Sequence, residues 1–202
     1  MKLYALILSC LLSAGTAAAE VVKVGIYDFP PYVFISDKPS GIAVQMIAEM
    51  NRFQKDYEFV AMPTTSKRRY RDFENSKFDM IIFENKDWGW QGYPVDVSDV
   101  FVTGAEVYVT QAKPGRGQGY FADFKNKAMI MVLGYHYRFA DFRTDQDYLQ
   151  RHFNFLQTSG QKKSLELILN GRGDIAVLTK EYLNYHFLTS PEDEARLLIS
   201  DK

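Results

Sequence analysis

The stretch VKVGIYDFPPY at residues 22–32 decides the fold. Its valines and isoleucine alternate with Lys23 and Gly25, and this period of two predicts a β-strand. The strand has to end before Pro30-Pro31, because two successive prolines cannot continue a hydrogen-bonded ladder. From Ile42 onward the apolar residues recur at helical spacing. A strand, a tight turn and a helix therefore open the chain.

The alternation of strand and helix continues along most of the sequence. Further strands are predicted at 57–62, 78–83, 105–111, 128–133 and 174–178, and further helices at 67–76, 139–153, 164–171 and 180–188. Strands that alternate with helices form mostly parallel sheets, and such sheets bind ligands beyond the carboxyl ends of their strands. The pattern predicts an α/β protein.

The best candidate for a domain boundary is the segment KPGRGQG at 113–119, with three glycines and a proline in seven residues. A second series of strands and helices follows it. We therefore predict two α/β lobes with a cleft between them, lobe 1 covering residues 20–110 and lobe 2 covering 111–194.

The first nineteen residues have the features of a cleavable signal peptide. Lys2 precedes an apolar run at 3–12, and the small residues 17–19 form an A-x-A site, so cleavage is expected after Ala19. A lipoprotein box ending at Cys10 is the weaker alternative, since the apolar stretch continues past it. Residues 1–19 predict an exported protein, and the periplasm is its natural location.

Composition excludes several classes of protein. The 202 residues are 47% hydrophobic and 24% charged, which is incompatible with disorder, and the only cysteine lies in the signal peptide, so no disulfide is expected. A net charge of −1 gives no basic field for nucleic acid. The aromatic content of 15% is high; such rings often line an organic-ligand cleft, although packing in the core also takes some of them.

Six segments carry a resemblance to a known family. They are residues 24–32 (VGIYDFPPY), 40–44 (SGIAV), 77–81 (KFDMI), 97–101 (VSDVF), 121–127 (FADFKNK) and 171–175 (GRGDI). In this order and spacing they resemble the periplasmic solute-binding proteins of family 3, the polar amino acid type of ABC-transporter receptor.

The resemblance implies an α/β fold of the two-lobed periplasmic-binding-protein type II, with mixed, mostly parallel sheets flanked by helices. In that family the chain returns to lobe 1 at its end. Here residues 195–202 would only begin that return. Either the sequence is a fragment or lobe 1 is abbreviated, and a C-terminal truncation is the favoured interpretation.

The resemblance also implies positions for the ligand's two charges. The family's arginine for the ligand carboxylate corresponds to Gln91, counted from both Asp79 and Ser98. The family's acidic residue for the ligand ammonium corresponds to Thr179. Because both charges are missing, we expect ordinary zwitterionic amino acids to bind poorly, and a ligand with a flat or apolar face to be favoured.

Other residues are candidates for contact with the ligand. Arg68 lies where some relatives carry a cleft-facing arginine, and it could take one anionic group. Aromatic residues near strand ends could stack on the ligand. The candidates beside Arg68, Gln91 and Thr179 are Asp28, Tyr32, Glu84, Trp88, Trp90, Tyr135 and His136.

The resemblance implies capture of a small polar solute without catalysis, a monomer, and a membrane permease or receptor as partner. Delivery to an ABC importer and presentation to a sensory receptor both remain open. The rival from another class is an enzyme similar to cyclohexadienyl dehydratase, in which Glu84 would act as acid or base. No cofactor is expected, no nucleic acid is expected as partner, and the isolated histidines give no metal site.

Overall fold

Two β-sheets, each covered by helices, make up residues 19–201, the part of the chain that the computed structural model describes. The predicted signal peptide lies outside these residues except for Ala19, and Cys10 lies outside them too. Within residues 19–201, none of the helices is both long and apolar enough to cross a bilayer. The lobe of the first sheet is called lobe 1 below, and that of the second sheet lobe 2.

Lobe 1 contains three parallel strands in the spatial order β2-β1-β3. Its elements are β1 (Glu20–Ile26), α1 (Ile42–Phe53), β2 (Tyr57–Pro63), α2 (Arg69–Glu74) and β3 (Met80–Ile81). Each helix connects two parallel strands, as a βαβ unit requires.

The central strand β1 is buried on both faces, which explains its apolar sequence. Val24 and Ile26 are at most 1% exposed and belong to one cluster with Ala43 and Ile47 of α1. Gly25 leaves room for the ring of Phe78, to which a Cβ at position 25 would come within 2.9 Å.

Lobe 2 contains five strands in the order β6-β5-β7-β4-β8. β5, β6 and β7 run parallel, while β4 is antiparallel to both of its neighbours. The elements are β4 (Glu106–Gln111), β5 (Ala128–Val132), α3 (Gln146–His152), β6 (Asn154–Thr158), α4 (Gln161–Leu169), β7 (Ile175–Thr179), α5 (Lys180–Thr189) and β8 (Leu197–Ile199). Short 3-10 turns occupy Gln118–Phe121, Arg138–Ala140 and Pro191–Arg196.

The lobe 2 sheet has an apolar layer on each face. Ile130 and Leu178 lie in one cluster with Leu165 of α4, whereas Met131 and Val177 lie in another cluster with Leu149 of α3. Because both faces are covered, β5 and β7 have nearly continuous apolar sequences rather than alternating ones.

Two predicted elements are shorter than expected. The strand predicted at 78–83 forms only at Met80–Ile81. The helix predicted at 139–153 forms only at Gln146–His152, because Asp141 and Phe142 have left-handed φ values of 52° and 57°. Asp145 then starts α3 by accepting a hydrogen bond from Tyr148 N at 3.0 Å. The strands β6 and β8 were not predicted.

The change from one sheet to the other falls between Ile81 and Glu106, earlier than the predicted lobe boundary at 110/111. β4 had been assigned to lobe 1, but it pairs with β7 and β8 in lobe 2. Residues 195–202 were predicted to begin the return of the chain to lobe 1. In the structure, Leu197–Ile199 of this segment form β8, which is the edge strand of the lobe 2 sheet. The glycine-rich segment 113–119 therefore lies within lobe 2.

Candidate functional site

A cavity of about 590 Å³ lies between the two lobes, at the carboxyl end of β1 and of β7. Its volume is in the range of sites for small organic ligands. Aromatic rings form much of the wall, namely Tyr27, Phe29, Tyr32, Phe83, Trp88, Phe101, Tyr135 and Tyr137. The expectation that aromatic residues line a cleft is met by residues from both lobes.

A buried ion pair lies in the lobe 1 wall of this cavity. Arg69 is 1% exposed, and its Nε donates to Glu84 Oε2 over 3.1 Å. The other oxygen, Oε1, accepts from the Tyr27 hydroxyl at 2.5 Å, and Oε2 also accepts from Trp90 Nε1 at 2.5 Å. Burial raises the pKa of Glu84, and the Arg69 guanidinium and the two neutral donors oppose that rise. Three donors from the protein therefore hold the Glu84 carboxylate in place in the lobe 1 wall.

Arg69 also joins the two lobes. Its Nη1 donates to the backbone carbonyl of Ser66 in lobe 1 and to that of Gly134 in lobe 2, the latter at 3.2 Å. The guanidinium lies 4.5 Å from the ring centre of Tyr70 and 5.1 Å from that of Tyr27. Its Nη2 also donates to the Trp88 carbonyl at 3.4 Å. Glu84, three carbonyls and two rings therefore surround this guanidinium, and all of these partners belong to the protein itself.

Three further contacts cross from lobe 1 to lobe 2 beside the cavity. The Tyr135 hydroxyl donates to the Asp28 carbonyl at 3.0 Å, and Ser66 Oγ donates to the Leu133 carbonyl at 2.7 Å. His136 Nε2 lies 2.7 Å from the Tyr70 hydroxyl. These contacts hold the lobes together around the loop that follows β5.

The lobe 2 wall presents polar groups of a different kind. Gln161 Oε1 accepts from the backbone N and the hydroxyl of Thr179, at 2.7 and 3.1 Å. Gln161 is 1% exposed, and its Nε2 has no hydrogen-bond partner within residues 19–201. The carboxylates of Glu106 and Glu181 line the same side of the cavity. Burial raises the pKa of Glu106, and the backbone N–H and the positive charge of Arg138 partly oppose that rise.

Six of the ten predicted site residues line the cavity, namely Tyr32, Glu84, Trp88, Tyr135, His136 and Thr179. Thr179 has a structural role as well, because its hydroxyl accepts from Tyr182 N at 3.2 Å and caps α5. That these six residues contact a ligand stays a prediction.

The other four predicted residues do not line the cavity. Arg68 was expected to face the cleft, but its side chain is 52% exposed and lies 3.8 Å from Asp72. Successive side chains on a helix point about 100° apart, and it is Arg69 that faces inward. Gln91 is exposed, and Asp28 is an exposed neighbour of the cavity. Trp90 is buried beneath Glu84 rather than open to a ligand.

The sequence reasoning missed Arg69, Tyr27, Gln161, Glu106 and Glu181. The run Lys67-Arg68-Arg69 did signal a cation, and Arg69 rather than Arg68 is the member that lines the cavity. Gln161 carries no charge and follows Ser159-Gly160, so only its proximity to a helix start could have drawn attention to it. Within residues 19–201, no cluster of three or more acidic, histidine or cysteine side chains could hold a metal ion.

Comparisons with known proteins agree with this architecture. No protein-family model matches the sequence, and no curated protein matches it. Solved structures do match. The holo ArgBP from T. maritima has a TM-score of 0.63 and 19% identity, over 89% of this chain and 76% of that chain.

Two other solved structures show the same likeness. An ABC uptake transporter substrate-binding protein from Streptococcus pneumoniae with bound histidine has a TM-score of 0.68 and 16% identity, over 89% of this chain and 74% of that chain. An ancestral arginine-binding protein bound to arginine has a TM-score of 0.66 and 17% identity, over 91% of this chain and 80% of that chain.

These likenesses establish the fold. The chain has the two-lobed α/β fold of the substrate-binding proteins of amino acid ABC transporters, as the resemblance of its sequence motifs had implied. The cavity between its lobes lies where the two sheets face one another across a set of direct contacts.

Proposed function

We propose that this protein is an exported solute-binding protein that captures a small polar organic ligand between its two lobes. The observation that carries the proposal is the cavity of about 590 Å³, whose walls come from both lobes. The solved structures with a similar fold include substrate-binding proteins. A ligand that contacts both walls stabilises the closed arrangement, because it binds that state better than an open one.

Binding is favoured over catalysis by the state of Glu84, the residue that the sequence offered as acid or base. It already accepts from Tyr27, Trp90 and Arg69. The proposed partners are therefore a small-molecule ligand and a membrane protein, either an ABC permease or a sensory receptor. The proposed location is the periplasm, the proposed signal peptide is residues 1–19, and the proposed state is a monomer.

The test is a thermal-shift screen of the purified mature chain against amino acids, amines, sugars and organic acids, followed by calorimetric titration of each hit. A ligand that binds only the folded state raises the melting temperature, by an amount that grows with its concentration. A prephenate-like acid belongs in the same screen, with chromatography of the mixture. Saturable binding without a new product supports the proposal, whereas turnover or the lack of any binding solute contradicts it.

A further inference from the structure

Some of the charged groups that line the cavity form ion pairs, and others do not. Arg69 and Glu84 neutralise each other, and Lys86 and Asp99 are exposed. Glu106 and Glu181 form no ion pair with any side chain in residues 19–201. The charge of Arg138 lowers the pKa of Glu106 only in part, so the lobe 2 wall carries two carboxylates that have no ion-pair partner in the described chain.

The two carboxylates belong to one corner of lobe 2. Glu106 pairs in register with Thr179, and Glu181 follows two residues later in the first turn of α5. Glu181 Oε2 is 3.3 Å from where a Cβ on Gly104 would stand, so its carboxylate lies against the segment that leads into β4. Both groups are half-buried, where a missing counter-charge is costly.

Aromatic rings stand on the other side of this corner. The Glu181 carboxylate is close enough to Tyr32 to raise the pKa of that phenol, after burial as the main cause. Tyr32 stacks on Phe83 with ring centres 4.4 Å apart. Faces of aromatic rings attract cations, so carboxylates and rings together favour a positively charged group.

Gln161 adds a separate requirement. Its Oε1 is fixed by two donors from Thr179, so its Nε2 has to be the side that lacks a partner. A buried N–H without an acceptor is costly, and a ligand oxygen within the cavity would relieve that cost. The ligand should therefore carry an oxygen acceptor.

That oxygen should be uncharged. Gln161 begins α4, and a helix N-terminus ordinarily favours an anion. Here, however, Asp28 Oδ2 lies 3.1 Å from where a Cβ on Gly160, the preceding residue, would stand. The Asp28 carboxylate therefore offsets the preference of this helix end for an anion, and Arg69, already paired to Glu84, is not free to bind a ligand carboxylate.

We propose that the ligand of this cavity is a small organic cation that has a neutral oxygen acceptor and no carboxylate. Its cationic group lies by Glu106, Glu181 and the aromatic rings, and its oxygen accepts from Gln161 Nε2. This inference rests on the proposed function, since it names the class of solute that is captured. It separates this cavity from one built for zwitterionic amino acids.

The first test compares amines with their parent amino acids on the wild-type chain. The pairs are argininamide with arginine, tyramine with tyrosine, and histidinol with histidine, each titrated by calorimetry; all three amines carry a neutral oxygen and no carboxylate. In each pair that binds, the Kd of the amine should be at least about tenfold lower, because the carboxylate finds no cationic partner.

The second test uses variants and a pair of quaternary ammonium probes. Acetylcholine has ester oxygens that pentyltrimethylammonium lacks. The Gln161→Glu substitution should therefore weaken the binding of acetylcholine by about tenfold more than that of pentyltrimethylammonium. Glu181→Gln should weaken the binding of both probes by about tenfold or more. Glu192→Gln, a neutralised carboxylate on the exposed 3-10 turn, should leave both Kd values unchanged.

The outcomes separate the inference from the proposed function. Amino acids that bind as tightly as their amines overturn the inference and leave solute capture standing, and so does binding of sugars or acids without binding of any cation. Glu181→Gln without effect on either probe also overturns it. If no solute of any class binds, both the inference and the proposed function fail.

Discussion

His136 is a single residue whose protonation should govern how the protein tolerates acid. Its Nδ1 donates to the Phe142 carbonyl at 2.6 Å, and its Nε2 lies 2.7 Å from the Tyr70 hydroxyl, which itself donates to the Trp88 carbonyl. The pKa of His136 is lowered from 6.5 to about 4, mainly by burial; the hydrogen bond to the Phe142 carbonyl opposes this shift and the nearby Arg69 guanidinium adds to it. Between these two values the unfolded chain binds more protons than the folded one, so the free energy of unfolding falls as the pH falls from 6.5 to 4. Urea midpoints measured at pH 7, 6, 5 and 4 should decrease through this window.

The matched variants are His136→Gln and His152→Gln, the latter on the exposed surface of α3. The decrease should be smaller in His136→Gln, which has no imidazole to protonate, and unchanged in His152→Gln. Equal pH profiles for wild type and His136→Gln would show that another group controls acid stability.

At the scale of elements, the loop after β5 meets the segment before α2 at a point where only glycine fits. Gly134 has a φ of 82°, and a Cβ there would stand 2.8 Å from Lys67 N and 2.9 Å from the Ser66 carbonyl carbon. Gly134→Ala should therefore cost about 1–3 kcal/mol in the free energy of unfolding, from backbone strain and from displacement of the lobe contact. Urea unfolding followed by circular dichroism measures this cost.

Gly92→Ala is the control, since nothing lies within 4 Å of a Cβ at that position and its φ is not in the left-handed region. Its free energy of unfolding should stay within about 0.5 kcal/mol of the wild type. A Gly134→Ala variant as stable as Gly92→Ala would mean that the two loops do not meet in solution.

At the scale of the whole molecule, the lobes differ in how well their sheets are supported. β1 has only β2 and the two-residue β3 as neighbours, whereas β5 and β7 are interior strands of a five-stranded sheet. Lobe 1 should therefore open locally at a lower free energy than lobe 2. Hydrogen exchange without ligand should be faster in β1 and β2 than in β5 and β7. Equal protection in both sheets would contradict this and indicate a single cooperative unit.

The α/β class and most element positions followed from the sequence, because hydrophobic period and turn residues are local properties. The strand before Pro30-Pro31 and the helix from Ile42 form as their patterns predict. Phe139 to Arg143 also carried helical spacing, yet the left-handed φ of Asp141 and Phe142 broke that helix. Spacing records which side chains are apolar and does not reveal such a break.

The partners of each residue depended on contacts between distant parts of the chain. Glu84 is neutralised by Arg69 of α2 and accepts a hydrogen bond from Tyr27, 57 positions away in sequence. The choice of Arg69 over Arg68 is a rotation of one position around α2, set by what the helix packs against. β4 joined lobe 2 through hydrogen bonds to β7, about seventy residues further along. The hydrophobic period is a local property of the sequence, and it was enough to predict the fold class. The pairing of distant residues depends on how the chain packs in three dimensions, so the chemistry of the cavity became visible only in the tertiary structure.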